Sequence, residues 1–297
     1  MAYLAGVELG GTKSVAVLGR GNEIVDRIVV PTTTPRETLQ ALSACLRAWR
    51  QETPFAALGI ASFGPLQLDP HRSGYGRMLR TPKQGWEGAS IAAALTEGLD
   101  CPCEIDTDVN AAALAEYLWG AGCGQCSLCY ITIGTGVGGG LVVNGKAVHG
   151  ALHPEIGHLR LRRAAGDSFA GACPFHGDCI EGLISAPALS RRLDGDPAEV
   201  PDDDFRWQMI ACDIAELACA MLLTTSAQRI LIGGGVGLGR SNLLPLVRRT
   251  ALDRLSGYLP FFDERTAEDI IRLPKLGSDA GPLGAIALAR SAAGLPD

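Results

Sequence analysis

The sequence predicts a soluble α/β protein of two lobes with a ligand held between them. Its 297 residues exceed what one ordinary hydrophobic core needs. It is 47% hydrophobic but only 5% aromatic, so the interior must be aliphatic and alanine-rich, as in α/β proteins. A strand that runs into a glycine turn and continues as a hairpin or a helix occurs in both halves, which points to two lobes of related construction.

The chain opens on a hairpin, with "YLAGVELGG" and "TKSVAVLG" as its arms, followed by a turn at "RGNE" and the strand "IVDRIVVPT". Leu39, Leu42, Leu46 and Trp49 recur at helical spacing and predict a helix from Pro35 to Trp49. "FAALGIASFGPL" reads as a buried strand ending in a glycine-proline loop. The turn-rich passage "DPHRSGYGRMLRTPKQGW" leads to a helix near 88–99, a short strand "CEIDTD" and a helix over "NAAALAEYLWGAG". In the second half, "LCYITIGTGVGGGLVVNGKAV" repeats the logic of the first hairpin. After a Cys/His-rich stretch come helices near 182–193 and 204–225. "RILIGGGVGLG" is then a strand entering a glycine turn, with a helix over 241–256. A strand near 270–273 and the alanine-rich helix "GPLGAIALARSAAG" close the chain.

Charge excludes some partners. Twenty-six Lys and Arg against thirty-two Asp and Glu leave a net −6, so nothing draws the whole molecule to nucleic acid or to an anionic membrane. A nucleotide must be held locally, by backbone amides and helix N-termini. No apolar run approaches the roughly 20 residues that span a bilayer. "MAYLAGVELGGTK" has no basic segment followed by a long apolar core, so a secretory signal is not expected. The ten cysteines are therefore expected as reduced thiols or metal ligands, and the location as cytoplasmic.

Five segments carry the chemistry. "ELGGTK" at 8–13 places two glycines at a hairpin tip, where bare N–H groups admit a phosphate without Cβ obstruction. Thr12 and Lys13 add a hydroxyl and a cation, and Glu8 is placed to hold Mg²⁺ through water. A plain tight turn accounts for the same residues, and the spacing is neither that of a P-loop nor that of a Rossmann fingerprint. "TIGTGVGGG" at 132–140 packs five glycines into seven residues, at a cost of about 0.5–1 kcal/mol each relative to alanine. Such a cluster marks close approach by a ligand or by another stretch of backbone. "IGGGV" at 232–236 is a weaker signal of the same kind. In "DTDVNAAALAE", Asp108 stands just before a helix, either as its N-cap or as a general base that accepts a hydroxyl proton. Cys173, His176 and Cys179 form C-x-x-H-x-x-C with His158 upstream. Two thiolates and two imidazoles suit tetrahedral zinc and leave no open position, so the ion is structural. His149 and His153 compete as ligands, and Cys123, Cys126 and Cys129 read as buried or loop thiols.

Taken in order, "GVELGGTK", "GIASFGPLQLD", "YGRMLRTPKQGW", "DTDVNAAALAE", "TIGTGVGGGLVVNGKAVHG", "HPEIGH", the Cys/His loop running into "CIEGL", and "ILIGGGV" resemble the ROK family of sugar kinases. The resemblance runs from residue 5 to about 290, and "SFGP", "TPKQGW" and "CPFHGDC" narrow it to the bacterial fructokinase-like branch. It implies the actin-like (ribonuclease H-like) ATPase fold with a central cleft. The implied small lobe is 1–115 completed by the C-terminal helix 280–297, and the implied large lobe is 116–279 with the zinc loop 158–179.

The resemblance also implies roles. Asp108 is the expected catalytic base. Gly10, Gly11, Thr12 and Lys13, with Thr135 and Gly136, face the phosphates of ATP, and Gly233, Gly234, Gly235 and Val236 lie along the adenosine. Asp108, Glu155, His158 and Glu181 hold sugar hydroxyls; His158, Cys173, His176 and Cys179 hold Zn²⁺; and Mg²⁺ bridges the phosphates. The implied reaction is phosphorylation of D-fructose to D-fructose 6-phosphate, with glucokinase, mannokinase or N-acetylmannosamine kinase activity as the alternative, in a homodimer. A sugar-sensing transcriptional regulator of this fold would carry a helix-turn-helix domain ahead of the first phosphate strand, and none is expected here. Glu8 replaces the aspartate of many family members, as the fructokinase-like branch often does. Thr107 replaces a common asparagine, which puts one sugar hydrogen bond in doubt, and the arginine-rich loop 159–172 has no assigned purpose.

Overall fold

A computed structural model describes residues 2–295; Met1, Pro296 and Asp297, which the expected small lobe includes, lie outside the described residues. The chain divides into two compact units. The first holds the residues up to Gly124, Gly140–Pro154 and those from Ser278 onward, and the second holds Gln125–Gly139 and Glu155–Gly277.

The sheet of the first unit has the order β3-β2-β1-β4-β5, from β1 (Tyr3–Leu9), β2 (Lys13–Arg20), β3 (Glu23–Pro31), β4 (Phe55–Ser62) and β5 (Cys103–Thr107). β1 pairs antiparallel with β2 and parallel with β4, and β4 pairs parallel with β5. Strand periodicity divides β1 between two cores. Ala5, Val7 and Leu9 join Leu39, Leu42, Leu46 and Trp49 of α1 (Pro35–Glu52), the four positions that predicted that helix. Pro35 opens α1, and the Thr34 hydroxyl caps it by accepting from Glu37 N at 3.3 Å. Helices α2 (Ile91–Thr96) and α3 (Asp108–Trp119) follow.

Leu4 of the opposite face joins Ile286 and Ala289 of the C-terminal helix (Ala280–Ala292). That helix lies flush on the sheet because glycines face it. A Cβ at Gly59 would sit 1.9 Å from Ala285 O, and one at Gly284 would sit 2.4 Å from Ala111 O of α3.

The second sheet has the order β10-β9-β6-β7-β8, from β6 (Ser127–Ile133), β7 (Val137–Val143), β8 (Lys146–Ala147), β9 (Arg229–Gly233) and β10 (Ile271–Arg272). The boundary between units falls inside β7. The sequence reading puts 140–154 in the large lobe, whereas this stretch packs in the first unit: a Cβ at Gly140 would lie 2.1 Å from Val109 O.

The helices of the second unit are α4 (Ile180–Ile184), α5 (Ala186–Arg192), α6 (Arg206–Thr225), α7 (Gly234–Gly239), α8 (Leu244–Leu255) and α9 (Ala267–Ile270); the C-terminal helix is α10. By length and overall composition alone α6 would reach across a bilayer, but Asp213 and Glu216 interrupt its apolar run. It is a core helix, with Trp207, Ile210, Ile214, Leu217 and Leu222 buried.

Candidate active site

In the first unit, β1 delivers Glu8 to the α10 face, and the chain then turns through Gly10–Lys13. Gly10 N donates to Lys13 O at 3.1 Å, and a Cβ at Gly10 would stand 2.6 Å from that oxygen, so the turn requires glycine there. Gly11, Thr12 and Lys13 are exposed, and nothing lies within 4 Å of a Cβ at Gly11.

Asp108 is not the cap of its helix. Thr107 fills that role, its hydroxyl accepting from Asn110 N at 3.2 Å. Asp108 is the first helical residue, and its half-buried carboxylate accepts from the adjacent Val109 N, at 2.9 Å. The capping alternative is thereby removed for Asp108, and the Thr107 hydroxyl is committed to the backbone.

Burial pushes the Asp108 carboxyl up to about 6, with the nearby Asp106 charge adding to the shift against backbone hydrogen bonds that oppose it. Glu8 is pushed up to about 7, by burial first and then by the charge of Asp108, against Lys13 and Arg27. The two carboxyls therefore lie close enough to influence each other. Glu8 also touches the first turn of α10, where a Cβ at Gly281 would fall 2.0 Å from its Oε1.

Asp106 is buried and pairs with His149, 2.9 Å from Oδ2 to Nε2. Its Oδ1 accepts from Thr107 N at 2.7 Å and from Asn110 Nδ2 at 2.9 Å. That bond to Asp106 raises the His149 pKa. His153 is buried, its Nε2 accepting from Leu66 N at 3.2 Å, and burial lowers its pKa. Both histidines, expected as competing metal ligands, are thus committed within the first unit.

In the second unit the four residues expected as metal ligands come together. One donor atom from each of His158, Cys173, His176 and Cys179 lies within 4.8 Å of all the others. Cys173 Sγ is 3.9 Å from His158 Nδ1 and 3.8 Å from His176 Nδ1, and Cys179 Sγ is 3.6 Å from His158 Nδ1. A tetrahedral zinc with bonds of about 2.0–2.3 Å asks for edges of roughly 3.3–3.8 Å; the donor chemistry fits, and these three sulfur–nitrogen distances come close to such edges. Burial pushes the Cys179 thiol up to about 11, so a thiolate there needs a cation to balance it. Local folding explains the convergence. Cys173 and Gly177 exchange backbone hydrogen bonds at 3.1 and 3.0 Å, and Cys179 is the N-cap residue of α4. His158 ends a short helical turn that lies flush on β7, since a Cβ at Gly157 would meet Val137 O at 1.9 Å.

Glu181, in the first turn of α4, accepts from Val137 N at 3.2 Å, and its Oε2 lies 2.7 Å from where a Cβ of Gly136 would be. Thr135 and Glu155 are exposed. Part of the glycine cluster answers to the chain itself, since a Cβ at Gly139 would strike Ile156 at 2.0 Å. Likewise Gly233 faces Tyr130 and Gly234, at φ +79°, faces Ile133 O, while Gly235 is open. The arginine-rich loop has a structural tie: Arg192, buried, binds Asp167 at 2.5 Å and Asp213 at 2.6 Å, and Arg160 pairs with Asp178 at 2.7 Å. Sequence reasoning missed these pairs, and it missed Lys83, whose Nζ donates to Gly11 O. Spacing along the chain gives no signal for partners so far apart.

The ROK family model matches residues 4–292. The chain belongs to the ROK family. Among ROK relatives, the fructokinase of Zymomonas mobilis is 40% identical over 96% of this chain and 96% of its own. The fructokinase of Pediococcus pentosaceus is 35% identical over 97% and 98%. The ROK hexokinase of Thermus thermophilus superimposes with a TM-score of 0.79 at 26% identity, covering 97% of this chain and 98% of its own. The fold is the actin-like ATPase fold of ROK sugar kinases.

Proposed function

We propose that this chain is an ATP-dependent sugar kinase that transfers the terminal phosphoryl group of ATP to a hexose, with D-fructose as the substrate and D-fructose 6-phosphate as the product. One observation carries the reading: a carboxylate freed from helix capping and raised to about 6 stands at the head of α3, in a chain 40% identical, almost end to end, to a fructokinase.

Asp108 accepts the proton of the sugar's primary hydroxyl as that oxygen attacks phosphorus. The turn of Gly10 and Gly11, with the open backbone of Gly11 and with Thr12 and Lys13, takes the phosphates, as do Thr135 and Gly136; Gly233 to Val236 take the adenosine. Phosphoryl transfer asks chiefly for such positioning and for charge neutralisation. Mg²⁺, with Glu8 the residue to hold it through water, supplies part of that neutralisation.

Glu155, His158 and Glu181 hold sugar hydroxyls. The Nδ1 atom of His158 faces the two cysteine sulfurs. A zinc ion bound there leaves Nε2–H free to donate to a hydroxyl, and fixes the ring that does so. Because Cys179 lies two residues before Glu181, the same ion sets the start of α4 and the place of that carboxylate. The protein acts in the cytoplasm as a homodimer, on the strength of the family resemblance.

The decisive experiment is a coupled ADP-release screen over fructose, glucose, mannose and N-acetylmannosamine. Fructose is expected to give the highest kcat/KM. A higher value for glucose, mannose or N-acetylmannosamine would move the assignment to the corresponding kinase, and ADP release unaffected by any sugar would end it.

A further inference from the structure

The motif "TPKQGW" has no role in the reading above, yet its lysine reaches the phosphate turn. Lys83 Nζ donates to the carbonyl oxygen of Gly11 and lies 5.9 Å from the centre of the Phe63 ring. The loop that carries it is firmly built. Trp86 is fully buried, its Nε1 donates to Thr33 O at 2.9 Å, and its ring meets Phe63 edge-on at 5.1 Å. Lys83 N donates in turn to Thr81 Oγ1 at 3.3 Å. Among the described residues no carboxylate pairs with the Lys83 ammonium. Lys13, by contrast, lies close enough to Glu8 to pull on that carboxyl, so its charge is partly answered.

Lys83 is therefore a fixed cation without a counter-charge, held on an aromatic face beside the Gly10–Gly11 turn. An ammonium has three N–H donors. One is spent on Gly11 O, and the others remain for an anion. An unpaired positive charge at a glycine turn with bare backbone matches one kind of ligand, a phosphoryl group carrying several negative oxygens.

Granting the sugar-kinase reading, on which this rests, we propose that Lys83 is a catalytic residue that stabilises the phosphoryl group during its transfer. In that step the hexose hydroxyl oxygen forms a bond to the terminal phosphorus of ATP. The bond from that phosphorus to the bridging oxygen breaks, and its electron pair stays on ADP. The hydroxyl proton goes to Asp108, and Lys83 keeps all its protons and acts by charge alone. Its placement beside the Gly11 carbonyl pre-organises that charge, which is what makes such a contact effective.

Lys83→Met, Lys83→Gln and Lys83→Arg test this against a purely stapling role for the side chain. Wild type must first show hexose-dependent ADP release, and its absence refutes the kinase reading, not the role of Lys83; Asp108→Asn must lose that release, and a variant that keeps it refutes the base assigned in this step. With both in place, Lys83→Met and Lys83→Gln are expected to lower kcat by about 10²–10³-fold, the usual loss when one such donor is removed. Fructose KM should change far less, and Lys83→Arg should recover most of the rate. Aluminium fluoride with MgADP and fructose mimics the group in flight. Its inhibition should weaken in Lys83→Gln by a similar factor, while inhibition by MgADP alone stays put. Wild-type kcat in Lys83→Gln overturns the proposal. So does an equal loss for MgADP and for the fluoride complex, or a rate loss in Lys83→Met that Lys83→Gln and Lys83→Arg both escape.

Discussion

As the proposed base, Asp108 must be ionised when a hydroxyl arrives, and its surroundings work against that. Burial holds its pKa near 6, and Glu8, influenced by it, sits near 7. Close carboxyls titrate as a pair, so the apparent values belong to both. The sign follows directly: protonation removes the base, so kcat/KM should fall as pH drops through the range of about 6 to 7, well above the ordinary carboxylate range. A pH–rate profile that stays flat down to the ordinary carboxylate value would contradict this placement. Asp108→Asn should abolish turnover while ATP and fructose still bind, as calorimetry would show; a variant that keeps wild-type kcat would remove Asp108 from the mechanism. That Asp108 was a candidate is legible in "DTDVN", because an acid at the head of a helix is a recognisable signal. Which residue caps the helix is not legible, since Thr107 and Asp108 are both good caps and only the backbone geometry chooses between them.

At the level of elements, α10 is the piece on which the first unit depends most visibly. Its Ala285 lies against Gly6 and Gly59 of the sheet, and its Gly284 lies against the backbone of α3 near Ala111, three residues from Asp108. Gly59→Ala would force a methyl to within 1.9 Å of Ala285 O, backbone against which nothing flexible can yield. A loss of about 1–3 kcal/mol is expected, read as a lower denaturant midpoint at unchanged slope. An unchanged midpoint would mean that α10 does not sit as described. The existence of α10, α1 and the strands was readable from periodicity. The function of their glycines was not. In "TIGTGVGGG", Gly139 and Gly140 make room for Ile156 and Val109 and not for a ligand, and composition looks the same either way.

On the scale of the molecule, the metal loop ties together segments that lie far apart in sequence. His158, Cys173, His176 and Cys179 converge, and the loop between them is anchored through Asp167 to the buried Arg192, which also binds Asp213 on α6. Purified protein is expected to carry about one zinc per chain, lost in a Cys173→Ser/Cys179→Ser double variant. If the ion sets His158 and the start of α4, as proposed, the double variant should raise fructose KM more than it lowers kcat. Fully active wild-type protein that carries no zinc would refute the metal's role. The sequence by itself determined most of the elements, the order of the motifs and the family, and it singled out the four residues whose donor atoms converge, because each of these is written in short-range spacing and residue chemistry. Only the tertiary structure decided that Thr107 caps α3, that His149 and His153 serve Asp106 and Leu66, and that Lys83 stands at the Gly11 carbonyl. The cap is a local choice that only backbone geometry settles; the other pairings join residues up to 87 positions apart, and nothing local in the chain records a contact made only when distant segments pack.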